Sequence, residues 1–108
     1  MPDTDAIVVF MTAANGEEAT RLAEMLVGAH LAACVQILPE MESVYRWQGK
    51  IERQSEVLLI AKTTRGKFAD LEREVRALHS YETPEIVAVP IVIGSQPYLD
   101  WLSESLKP

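Results

Sequence analysis

Residues 32–64 read AACVQILPEMESVYRWQGKIERQSEVLLIAKTT, and Gln48-Gly49 divides this stretch into two extended arms of similar length. Glycine accepts positive φ without steric cost, so Gln48-Gly49 is a hairpin turn between runs rich in Val, Ile, Tyr and Trp. The first arm, strand two, comprises residues 32–38 and 42–47 on either side of Pro39. Proline has no N–H for the ladder, which implies a bend or bulge there and an edge position in the sheet. The second arm, strand three at 50–63, passes through Val57-Leu58-Leu59-Ile60-Ala61, the continuous apolar pattern of a strand buried on both faces. The first arm alone, from about Cys34 to Trp47, reaches roughly 46 Å at ~3.3 Å per residue, against a diameter of roughly 34 Å for a compact chain of this size. The hairpin is therefore expected to overhang its own domain.

The flanking sequence supplies the rest of the sheet. Ile7-Val8-Val9-Phe10-Met11 is a second continuous apolar run, strand one. Asn15 with Glu18 three residues on forms a capping box, and Ala19, Leu22, Ala23 and Leu26 follow helical spacing to about His30. Thr64 is placed to cap a second helix that sets Phe68, Leu71, Val75 and Leu78 on one face and Asp70, Glu72, Arg73, Glu74 and Arg76 in water. Pro84 opens a fourth strand at 86–93, which Pro90 restricts to an edge or a bulge. A short last helix after Ser95 carries Tyr98, Leu99, Trp101, Leu102 and Leu106. The order βαββαβ plus a C-terminal helix is an α+β, ferredoxin-like sandwich, with strands one and three central and strands two and four at the edges.

At 108 residues the chain forms one domain that buries roughly 65% of its unfolded surface, and the fold needs no cofactor to form. No apolar run approaches the ~20 residues of a membrane-spanning helix. The N-terminus, Met1-Pro2-Asp3-Thr4-Asp5, is acidic where a signal peptide is basic and then apolar, so the expected location is cytoplasmic. Sixteen Asp and Glu against 10 Lys and Arg give a net charge of −6, which argues against nucleic acid and leaves cations as partners. A single cysteine, Cys34, excludes an intrachain disulfide. In Ala32-Ala33-Cys34-Val35 it reads as a small buried hydrophobe.

One copy looks incomplete. Right-handed crossovers place the first two helices on the same face of the sheet, which leaves the other face without a helical cover. Yet Val8, Phe10, Val57 and Leu59 and their alternate neighbours Ile7, Val9, Leu58 and Ile60 are all apolar, so both faces of the central strands call for burial. The overhanging ribbon adds Val44, Tyr45, Trp47 and Ile51. Pairing with further copies in a closed ring satisfies both.

Five separated segments resemble one known family in the right order: Ala32-Ala33-Cys34-Val35, the stretch 43–52, the stretch 56–64, His79-Ser80-Tyr81-Glu82-Thr83-Pro84-Glu85, and Tyr98-Leu99-Asp100-Trp101-Leu102. The family is CutA, of divalent-cation tolerance, and the likeness runs from about Ile7 to Leu106. It implies a homotrimer similar to the PII signalling proteins, with interlocking hairpins and a non-enzymatic role in tolerance of, or response to, divalent metal. The implied metal is copper or another divalent ion. The family's motif has proline where this chain has Ser80. Its copper ligands, a strand-one cysteine and adjacent histidines, fall on Met11, Leu78 and His79, so His79 and Met11 are the metal candidates here.

His79, Tyr81, Glu82 and Glu85 form the densest local group of functional side chains. Glu56 and Lys62 on strand three, with Tyr45 and Trp47 across the hairpin, are expected to join Tyr81 and Glu82 at a subunit boundary. This ligand cleft is the basis of a second reading, a PII-like small-molecule sensor; a trimeric scaffold for a partner protein is a third. Enzyme chemistry is not expected, because the chain lacks a Gly-rich phosphate loop, a Gly-x-Ser-x-Gly elbow and a His-x-x-x-His pair.

Overall fold

A computed structural model describes residues 5–108, so the acidic stretch at 1–4 lies outside it. The elements are β1 (Ala6–Ala13), α1 (Gly16–Gly28), β2 (Cys34–Trp47), β3 (Lys50–Thr64), a 3₁₀ turn (Arg65–Lys67), α2 (Phe68–Leu78), β4 (Ile86–Pro90) and α3 (Gln96–Ser105). The antiparallel sheet has the order β2-β3-β1-β4, so the two apolar runs are central and Pro39 and Pro90 lie on edge strands, as the sequence requires.

Helix α1 begins at the expected Asn15 cap, with the return bond from Glu18 made to Ala14, one residue ahead of the cap. Asn15 Oδ1 accepts the Glu18 N–H at 2.9 Å, while Glu18 Oε1 accepts the N–H of Ala14 at 2.9 Å. The helix ends at Gly28, short of the expected His30, in a Schellman motif: the Leu31 N–H bonds to Leu26 O and the His30 N–H to Val27 O, with His30 at φ 59°. The second helix also starts later than expected. Thr64 is still extended and makes no side-chain cap, since β3 runs through it and the 3₁₀ turn intervenes before Phe68. Strand β4 stops at Pro90 rather than residue 93.

The main core lies between α1, α2 and one sheet face, where Val9, Met11, Leu22, Leu26, Leu59, Leu71 and Val75 are all fully enclosed. Helix α3 folds onto the other face at one end, packing Leu102 and Leu106 against Ala6 and Ala33. This corrects the expectation of a face with no helical cover. The rest of that face stays open: Leu38, Val87 and Val89 are exposed, and Val8, Phe10, Leu58 and Ile60 half-buried.

The hairpin reaches the expected length. Gln48 (φ 50°) and Gly49 (φ 81°) both have positive φ, the requirement of the tight primed turn. A register shift between Leu38 and Met41 marks the bulge at Pro39, with Glu40 at φ 35°. The molecule measures 46 × 27 × 23 Å, elongated for its size.

Candidate functional site: a polar relay at the root of the hairpin

The sheet and α1 converge where the chain leaves α2. There His79, Ser80 and Tyr81 are each tied to a different element. His79, its side chain fully enclosed, donates from Nε2 to the Thr12 carbonyl on β1 at 2.7 Å. Its Nδ1 accepts the Tyr81 N–H at 2.9 Å, which fixes the tautomer with the proton on Nε2. The Ser80 N–H donates to Glu18 Oε2 at 2.7 Å. Tyr81 packs on the His79 ring at 4.8 Å and reaches the hairpin. Its hydroxyl donates to Glu56 Oε2 at 3.0 Å and accepts from Gln54 Nε2 at 2.9 Å. Gln54 Oε1 in turn accepts the Tyr45 hydroxyl at 2.7 Å.

The electrostatics follow from burial and these partners. Burial pushes the Glu18 carboxyl up, but the hydrogen bonds from Ala14 and Ser80 and the nearness of His79 outweigh it and hold the group below the ordinary carboxylate range. Desolvation, then the hydrogen bond to Glu56 and the charges of Glu56 and Glu18, push the Tyr81 hydroxyl up to about 12. The folded state thus keeps a proton that the unfolded chain loses above pH ~10, so this contribution is present below pH ~10 and lost between about 10 and 12. Tyr81→Phe is expected to flatten that alkaline decline by ~1–2 kcal/mol, after allowance for solvent screening, measured as the change in urea midpoint between pH 9 and pH 11.5.

Of the sequence-derived ligand residues, the single chain brings Tyr81, Glu56 and Tyr45 into one network. Lys62 is not part of it: it lies six residues from Glu56 along β3, roughly 20 Å, and its Nζ donates to Gln36 Oε1 at 2.6 Å. Trp47 sits at the hairpin tip opposite Lys50, 57% exposed, and Glu82 points to solvent. The metal candidates are also constrained. The Met11 thioether is enclosed in the core, and both ring nitrogens of His79 are engaged. Among the described residues no three His, Cys, Asp or Glu side chains stand close enough to hold a metal ion. As arranged, these residues do not fit a resident metal.

Two residues of the site were not singled out from the sequence. Glu18 read only as half of a capping box, although it also anchors Ser80. Gln54 had no signal beyond its place on a strand, because its role depends on the fold returning the segment after α2 to the hairpin.

Comparison with known proteins agrees with this architecture. A family model described as CutA1 divalent ion tolerance protein matches residues 7–105. The curated "Divalent-cation tolerance protein CutA" of Thermus thermophilus is 49% identical over 98 residues, covering 91% of this chain and 95% of the relative. The solved structure of the periplasmic divalent cation tolerance protein CutA from Archaeoglobus fulgidus superposes with a TM-score of 0.92 at 43% identity, covering 94% of this chain and 99% of that one. CutA from Xylella fastidiosa gives 0.94 at 36% identity over 96% and 100% of the two chains. With the order of strands, the long hairpin and the match across nearly the whole sequence in agreement, the chain belongs to the CutA1 divalent ion tolerance family.

Proposed function

We propose that this chain is a non-enzymatic homotrimer serving divalent-metal tolerance, with copper the leading ion and the cytosol its compartment. The observation that carries the role is the likeness to proteins named for divalent-cation tolerance. The open apolar sheet face and the overhanging hairpin support the assembly. Deleting the gene from its host is expected to lower the Cu(II) concentration that stops growth, and restoring it to reverse the loss. Unchanged tolerance in the deletion overturns the role.

The geometry makes tolerance without a preformed His79–Met11 metal site the better-supported mechanism. Cu(II) would have to displace the Thr12 carbonyl or the Tyr81 N–H from His79, each a short hydrogen bond in a buried setting. Calorimetric titration of the assembled protein with Cu(II) is therefore expected to give no sub-micromolar binding that His79→Ala abolishes. A tight isotherm lost in that variant would establish the His79 site instead.

The chain of Tyr45, Gln54, Tyr81 and Glu56 favours a second reading, in which the root of the hairpin holds a small molecule whose binding is read out through hairpin and loop together. A thermal-shift screen of nucleotides and metabolites tests it, since a specific ligand raises the melting temperature by mass action.

A further inference from the structure

The sheet narrows at the Pro39 bulge. β1 pairs with β3 only as far as Ala13, opposite Val57, and the register shift between Leu38 and Met41 falls at the same level. From Met41 to Glu56 the chain is therefore a two-stranded ribbon. No side chain from Met41 to Ser55 is buried, so no core contact sets the ribbon's direction. A bulge interrupts the ladder and bends the strand, and a cavity of about 320 Å³ opens beside this one, lined by Glu40, Met41, Glu42, Arg53, Gln54 and Ser55. Within the ribbon Arg53 bonds to Glu42 and Tyr45 to Gln54, which ties its two strands into one unit. Among the described residues, the hydrogen bonds that join this unit to the rest of the chain come from one side chain. The Tyr81 hydroxyl meets Gln54 at 2.9 Å and Glu56 at 3.0 Å. Tyr81 is itself fastened to the domain, because its N–H is held by His79 and His79 by the Thr12 carbonyl, next to the last β1 pair.

From this geometry we infer that the hairpin is a hinged arm with Tyr81 as its latch: residues 41–56 pivot as a unit about the bulge, and the Tyr81 hydroxyl fixes their direction relative to the domain. The lever is long. Met41 to Trp47 spans roughly 23 Å at ~3.3 Å per residue, so a swing of about 10° carries the tip roughly 4 Å. The hydroxyl grips β3 at two points, Gln54 and Glu56, which restrains the arm more firmly than one bond can. Because the hairpin is the arm proposed to reach other copies, the segment after α2 governs where that arm points. Only this consequence rests on the assembly reading; the hinge and the latch belong to the single chain.

Distances between paired nitroxide labels, measured by pulsed electron resonance, test the latch in the full chain. With Cys34→Ser as background, one pair sits at Lys50→Cys near the hairpin tip and Glu24→Cys on α1, and a control pair at Glu24→Cys and Arg76→Cys lies wholly within the domain; all three positions are exposed. Labelled chains are diluted with unlabelled ones, so that only distances within one chain are read whatever the number of copies. With Tyr81 present, both pairs are expected to give narrow distributions. Tyr81→Phe keeps the ring that packs on His79 and removes only the hydroxyl, and is expected to broaden the tip-to-domain distribution at least twofold while the control pair stays narrow. Gln54→Leu, which removes one of the two grips, is expected to broaden it less. The inference is overturned if Tyr81→Phe leaves the tip-to-domain distribution as narrow as before, if it broadens both pairs alike, or if the distribution is already broad with Tyr81 in place.

Discussion

Glu18→Ala is expected to cost about 3 kcal/mol or more, which makes it one of the most damaging single substitutions in the chain. Glu18 is 3% exposed, and its two oxygens accept from two different segments, the Ala14 N–H ahead of α1 and the Ser80 N–H after α2. Hydrogen bonds to a charged group contribute ~1.5–3 kcal/mol each, and their loss strands two backbone donors in a closed site. Urea midpoints at equal protein concentration measure the effect, because unfolding of an assembly depends on concentration. Since the folded carboxyl is held below its ordinary range, the stability it confers is present at neutral pH and lost as pH falls through that depressed value. The gap between wild type and Glu18→Ala should accordingly narrow in acid. A gap that stays constant down to pH 2 contradicts the assignment.

Ser80 adds a sharper form of the same experiment. The CutA motif has proline at this position, and a return to consensus by Ser80→Pro looks like an improvement. Here, however, the Ser80 N–H is the donor to Glu18 Oε2, which proline lacks. The substitution is expected to destabilise by ~1–2 kcal/mol, and to do so much less in a Glu18→Ala background, where the acceptor is already gone.

How much of this was readable in the sequence depends on the range of the interaction. The central strands were legible because Ile7 to Met11 and Val57 to Ala61 are continuous apolar runs, and the edges because Pro39 and Pro90 cannot serve inside a sheet. The turn was legible because Gly49 is one of few residues able to sit at φ 81° cheaply. These are local constraints. The docking of α3 was not legible: the spacing of Leu99, Leu102 and Leu106 announces an apolar stripe but not which surface receives it. The start of α2 was misplaced because Thr64 has a capping side chain, while its backbone is held in the β3 ladder opposite Ala6. Tyr81 and Glu56 could be named as functional types, but their meeting depends on a 25-residue separation closed by the fold.

Val87→Glu combined with Val89→Glu is expected to separate the proposed trimer into single chains of 12.0 kDa while leaving each chain folded. The register defines the surface. Val87 lies opposite Phe10, Phe10 opposite Ile60 and Ile60 opposite Gln36, so one row of side chains crosses all four strands on the same face. Val89 and Val8 begin the neighbouring row, which ends in Lys62 and Cys34. α3 covers only the Ala6 end of this face, so most of its apolar surface is left for the proposed trimer to cover. Because Val87 is 51% and Val89 46% exposed in the single chain, glutamates there can point into water and the domain core is untouched. In the proposed trimer the same positions would be enclosed, and an unpaired buried charge costs ~3–5 kcal/mol each. Even one such penalty weakens association roughly a thousandfold, and two place dissociation well above micromolar concentrations. Sedimentation equilibrium gives the mass, and circular dichroism checks that the chain remains folded. Trp47→Ala with Ile51→Ala at the hairpin tip is expected to weaken the assembly less, because it removes apolar contacts without burying charge. If the double glutamate variant keeps the wild-type mass, the open sheet face is not where copies meet, and the hairpin alone must hold the assembly together.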